Sequence, residues 1–142
     1  IRVIDGCTFL FDVAHNTAGV LTLVDTIDRL ELPRPLVALV GVLGDKDWRS
    51  MLPPLLSRAD AAFLTRTPTA PFDRQWDPVA AADLVDAITL VRVVSDFAEA
   101  LEGARRRAGH GTVVITGSAH SVGPAMTLLG LDPLAAKGTL RA

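Results

Sequence analysis

The 142-residue chain is 49% hydrophobic and carries a formal net charge of −2, enough apolar material for one core in a single domain of ordinary size. That charge excludes a basic field for nucleic acid, since the only dense cationic run, "RRR" at 105–107, reads as a solvated helix face. One cysteine excludes an intrachain disulfide or a cysteine-ligated metal cluster, and the longest apolar run, 35–44, falls short of the roughly 20 residues a membrane span takes.

Cys7 reads as a small, half-buried residue of a cytoplasmic protein. No signal peptide is visible. The start at Ile1 rather than Met suggests a piece of a longer protein.

Taken in chain order, two short apolar runs flank Asp5-Gly6, a pair that tolerates positive φ at both turn positions and so predicts a β-hairpin. Residues 17–32 set Val20, Leu21, Leu23, Val24, Ile27 and Leu30 at helical spacing before Pro33 and Pro35 end the helix. "LVALVGVLG" follows as a buried strand, "DWRSMLPPLLSR" as a helix that Pro53-Pro54 bends or interrupts, and "AAFLT" as a strand. A loop over 66–78 leads to "DPVAAADLVDAI" as helix, "TLVRVV" as strand, "SDFAEALEGARRRA" as helix capped by Ser95 or Asp96, and "GTVVITG" as strand. "SAHSVGPAMTLLG" opens a last helix.

Continuous apolar strands, each followed by an amphipathic helix, imply parallel strands covered on both faces. The fold class is therefore α/β: a mostly parallel, doubly wound sheet in a single domain that opens with a hairpin. The domain is expected over 1–130, with a weakly patterned tail over 131–142.

In such a sheet ligands bind beyond the carboxyl ends of the strands, where helix N-termini also present unsatisfied N–H groups. Those ends carry "DVAHN", "GDKD", Thr65-Arg66 and "TGSAH", whereas the opposite ends carry plain surface turns. Asp12 and His15 stand three residues apart across a strand-to-helix turn, with Asn16 at the N-cap. In isolation this pattern reads equally as a capped helix beside a turn histidine. Gly41 and Gly44 permit close backbone approach, and Lys46 offers a point cation for a phosphate or carboxylate, or else is a solvated turn lysine. Gly117-Ser118 at a helix start suits an anion better than it suits a nucleophilic serine, because G-x-S-x-G is not matched.

His15, His110 and His120 include no i, i+4 pair, so no metal site is assigned. Asp12, Asp45 and Asp47 could help place magnesium only with oxygens from a bound phosphate. Neither a P-loop nor G-x-G-x-x-G follows any strand.

"DVAHNTAG", "GVLGDKDW" and "TGSAHSVG", in this order, resemble the D-x-A-H-N-P, K-D and G-S segments of the carboxy-terminal domain of the folylpolyglutamate synthase and dihydrofolate synthase branch of the Mur ligase family. The resemblance runs from about residue 3 to 130. It implies a Rossmann-like lid domain of an ATP- and magnesium-dependent ligase that adds L-glutamate to dihydropteroate or a folate through an acyl phosphate. An amino-terminal P-loop domain of the same parent chain would be the partner and would hold most of the ATP and Mg2+. By the same resemblance, Asp12, His15 and Lys46 are catalytic, Ser118, Gly117 and His15 bind substrate, and Asp12 and Asn16 border the nucleotide.

Thr17 stands where the family has proline, a small change since either residue can start a helix; the Gly-Arg pair that precedes the family's hairpin and the P-loop are not in the chain, so the domain alone is expected to be inactive. A peptidoglycan Mur ligase lid and a non-catalytic Rossmann-like binding domain are the alternatives. No nucleic acid or membrane is expected as a partner.

Overall fold

Asp5 and Gly6 both adopt positive φ, 50° and 81°, closing a tight turn that pairs Arg2–Ile4 (β1) antiparallel with Cys7–Phe11 (β2). The computed structural model describes residues 1–131. After β2 come Thr17–Leu30 (α1), Leu36–Val40 (β3), Trp48–Leu56 (α2), Ala61–Leu64 (β4), a short 3-10 turn at Phe72–Arg74, and Pro78–Val85 (α3). Leu90–Val93 (β5), Phe97–Ala108 (α4), Thr112–Thr116 (β6) and Ala119–Leu128 (α5) complete the order. The six strands form one sheet in the order β1-β2-β6-β3-β4-β5, parallel except for the opening hairpin.

β6, the last strand in sequence, fills the place between β2 and β3. Its register sets Phe11 opposite Ile115 and Val40 opposite Thr116. Side chains alternate along these strands and build a core on each face. On one face α1, α2 and α3 bury Leu23, Leu52 and Val85 against Leu10, Ala38 and Val114. On the other, α4 and α5 bury Phe97, Ala104 and Met126 against Phe9, Leu39 and Ile115. At about 25 cal/mol per Å2 of apolar surface removed from water, each such side chain contributes roughly 2 kcal/mol.

Several expectations are corrected. Pro53 and Pro54 do not break α2, which runs through both. The two i→i−4 bonds they forgo would have ended on the carbonyls of Arg49 and Ser50, both exposed residues, so the loss costs less than it would in a buried helix. α1 stops at Leu30 rather than 32, because Glu31 takes the left-handed conformation at the C-cap. Cys7 is buried rather than half-buried, and burial pushes its thiol pKa up, opposed in part by Arg105, so it is an inert packing group. Arg105 is partly covered and pairs with Asp5, so the cationic run is not wholly solvated.

β5 is not covered on both faces: its residues alternate between exposed and half-buried. The expected tail lies outside the described residues except for Leu131, whose N–H donates to the Met126 carbonyl.

Candidate functional site

The connections leaving β2 and β3 run to helices on one face, while the connection leaving β6 between them runs to α5 on the other. Neighbouring strands whose outgoing loops part in this way open a crevice at their carboxyl ends. The turns carrying Asp12 and His15, Gly117 and Ser118, and the loop of Lys46 leave these three adjacent strands, whose ends span about 10 Å at the usual strand spacing.

Each turn is held by its own residues. The Asp12 N–H donates to the Ile115 carbonyl, and the Asp12 carboxylate accepts from the Ala14 N–H at 2.8 Å, folding the chain away from β2. Asn16 caps α1, its side-chain oxygen accepting from the Gly19 N–H at 2.8 Å. His15, exposed between them, has Nδ1 3.2 Å from the Val13 carbonyl. With the proton on Nδ1 donating there, Nε2 is left outward as an acceptor.

Between β6 and β3 the packing is closer still. Gly117 sits at φ +109°, and a Cβ there would lie 2.5 Å from the Gly41 carbonyl oxygen. That oxygen accepts from the buried Ser121 hydroxyl at 2.9 Å. Gly41 and Gly44 therefore do allow close approach, but to protein: to Ser121 and Thr67 in the first case and to the Gln75 backbone in the second.

Ser118 is 3% exposed and caps α5, its Oγ accepting from the His120 N–H at 3.0 Å. The N–H groups of His120 and Ser121 are thereby occupied. Among the described residues the Ala119 N–H has no acceptor, and Ala119 is exposed. Lys46 is half-buried and pairs with no carboxylate among the described residues, because Asp45 pairs with Arg74 at 2.9 Å and Asp47 caps α2.

Magnesium does not fit these side chains. Among the described residues no three metal-ligating side chains gather, and Asp12, Asp45 and Asp47 are each engaged separately.

A cavity of about 860 Å3 opens at this edge of the sheet beside Ala119, the residue after Ser118. Its walls are the loops after β4 and β5, the start of α4 and the length of α5, with Arg66, Thr67, Thr69, Ala119 and Gly123 among its lining. Arg66 is exposed and has no carboxylate partner among the described residues. The loop behind it is pinned: buried Trp76 donates to the Thr65 carbonyl at 2.7 Å and packs edge-on to Trp48, and the Gln75 amide donates to the carbonyls of Thr67 and Ala70.

Among the described residues two buried hydroxyls here, on Thr67 and Thr116, find no protein partner. Thr116 and Ser121 lie within "TGSAHSVG" but take no role in the sequence reading, and Thr67 is marked there only as part of the loop over 66–78.

The family described as the Mur ligase, glutamate ligase domain matches residues 1–120. The chain belongs to this family. It is 34% identical over 141 residues to the dihydrofolate synthase/folylpolyglutamate synthase of Mycobacterium tuberculosis (strain ATCC 25618 / H37Rv), covering 89% of this chain and 29% of that protein.

Among solved structures, the M. tuberculosis folylpolyglutamate synthase complexed with ADP superposes with a TM-score of 0.75 at 32% identity, over 86% of this chain and 30% of that one. E. coli FolC in complex with DHPP and ADP gives a TM-score of 0.76 at 25% identity, over 86% and 28%. This Mur ligase domain thus spans under a third of the length of the relatives it matches, and its mostly parallel α/β fold is theirs.

Proposed function

We propose that this chain is the amino-acid-binding lid of an ATP-dependent ligase that joins L-glutamate to the carboxylate of dihydropteroate or a (poly)glutamylated folate. The phosphate loop, magnesium and most of the ATP and pterin contacts are assigned to an amino-terminal domain of the parent. ATP supplies the phosphoryl group that turns the acceptor carboxylate into an acyl phosphate. The glutamate amine then attacks the acyl carbon, the bond to the phosphate oxygen breaks, phosphate leaves with the electron pair, and the amine nitrogen loses a proton.

The observation that carries this reading is the pairing of an open α5 amide, Ala119 N–H, with the unpaired Arg66 guanidinium across one groove that begins next to Ser118. A dicarboxylic amino acid has two anionic ends to satisfy. One carboxylate meets the Ala119 N–H at the positive end of α5, and the other meets Arg66. Ser118 sets the direction of that amide by capping the helix. Across the edge, His15 Nε2 faces outward to hold the amine, and Lys46 faces the phosphate of the activated acceptor. Asp12 and Asn16 act on the reaction by fixing the turn that carries His15. Closure of the lid excludes the water that would otherwise hydrolyse the acyl phosphate.

The test uses the full-length parent, with ATP, acceptor and varied glutamate. Arg66→Ala is expected to raise the KM for glutamate by about 10- to 100-fold, the equivalent of one charge-assisted hydrogen bond, with the KM for ATP unchanged. An unchanged glutamate KM in Arg66→Ala and His15→Ala, or equal use of alanine or diaminopimelate, would overturn the assignment. The latter outcome favours a peptidoglycan ligase.

A further inference from the structure

The opposite end of the sheet carries a second groove, of about 490 Å3, lined by Ala61, Phe63, Leu90, Arg92, Arg106 and Arg107 among others. It exists because α4 packs over β3, β4 and β6 and leaves that face of β5 uncovered. The register sets Leu90 beside Ala61 and Arg92 beside Phe63, so Leu90 and Arg92 point to this uncovered face, and Leu90 is 68% exposed.

Among the described residues β5 is also the last strand of the sheet. The Val94 N–H donates to the Leu64 carbonyl, so by strand alternation the N–H and C=O groups of Val91 and Val93 are turned outward along the free edge. The groove is cationic in a chain whose net charge is −2. Among the described residues Arg92 and Arg107 form no ion pair, and Arg106 has only the exposed i, i+4 partner Glu102. Asp60, a carboxylate near enough to Arg107 to feel its charge, is already held by the Leu36 N–H and Arg34.

We propose that this edge and its three arginines dock an extended acidic segment of a partner protein. The segment adds a strand to β5 through Val91 and Val93, places alternate acidic side chains on the face of Arg92, Arg106 and Arg107, and sets the apolar residues between them on the opposite face, beside the side chains of Val91 and Val93. Charge decides the occupant: a second copy pairing edge to edge would set its own arginines against these, whereas alternating carboxylates complement them. The groove also holds no exposed aromatic ring on which a nucleic acid base could stack.

The test titrates the full chain with fluorescein-labelled peptides of about ten residues, a strand length, that alternate Val with Glu or Val with Lys. The Glu peptide is expected to bind at least about tenfold tighter than the Lys peptide, with affinity falling as salt rises, and the doubly substituted Arg92→Glu/Arg107→Glu chain is expected to reverse that preference. Hydrogen exchange at the Val91 and Val93 amides slows in the complex.

If the reversed variant fails to fold by circular dichroism, Arg92→Gln/Arg107→Gln takes its place, and weaker binding without reversal is expected. Equal binding of the two peptides overturns the proposal. So do unchanged affinity in a folded variant, unprotected Val91 and Val93 amides, self-association through this edge, or tighter binding of oligothymidine than of the Glu peptide.

Discussion

Replacing Gly117 by alanine tests the packing at the heart of the candidate site. At φ +109° an L-residue is strained by about 1–3 kcal/mol before any neighbour is considered. The added Cβ would also lie 2.5 Å from the Gly41 carbonyl oxygen and 3.0 Å from its carbon, so backbone rather than a flexible side chain must move. Moving it stretches the hydrogen bond from Ser121, worth about 1 kcal/mol more.

The sum is a loss of about 2–4 kcal/mol, which for a chain of this length lowers Tm by roughly 5–15 °C. Gly123, six residues on, supplies the contrast: it lies inside α5, and a Cβ added there would meet nothing within 4 Å apart from its chain neighbours, so alanine is expected to cost far less than at Gly117, its gain in helix propensity being opposed by crowding against the ring of Pro124. Urea denaturation of both variants, with slopes compared, checks the pair. A Gly117→Ala protein as stable as the parent would refute the reasoning.

Ser121→Ala removes the buried donor to Gly41 and is expected to cost about 1–3 kcal/mol in the same assay. Asn16→Ala unties the start of α1 and is expected to cost about 1 kcal/mol, measured by the same unfolding curves. The Leu36 N–H, and after it Arg34, hold the Asp60 carboxyl below the ordinary aspartate value of 3.8 despite opposing desolvation. Its contribution to stability is therefore complete above that value and is lost as pH falls through the lower folded pKa. Unfolding free energies measured below pH 4 should fall less steeply for Asp60→Asn than for the parent.

Local chemistry was the part legible in the sequence. Asn16 and Ser118 announced two helix starts by residue type and position, and Asp5-Gly6 announced the hairpin because the dipeptide alone satisfies the turn. The parallel α/β class followed from apolar runs that a half-exposed sheet does not need. Strand order was not legible, because periodicity records which face is buried and not which neighbour buries it. Hence β5 read like the inner strands although it is an edge.

The site divides in the same way. Asp12, His15, Lys46 and Ser118 stood out because their types interrupt apolar runs at strand ends. Thr67, Thr116 and Ser121 did not, since a hydroxyl becomes informative only when a second backbone, here Gly41, is seen to lie against it. The groove at Arg66 is made by loops after two strands and by α5, segments far apart in the chain.

The central place of β6 also bears on how the molecule is made. Until Thr112–Thr116 has left the ribosome, β1-β2 and β3-β4-β5 are separate ribbons, each with a bare hydrogen-bonding margin where β6 will lie. The nascent chain must keep those two margins from joining each other, or other chains, while α4 is being synthesised. A message truncated before Thr112 would release a product with both margins open, well suited to aggregate and a natural client for chaperones.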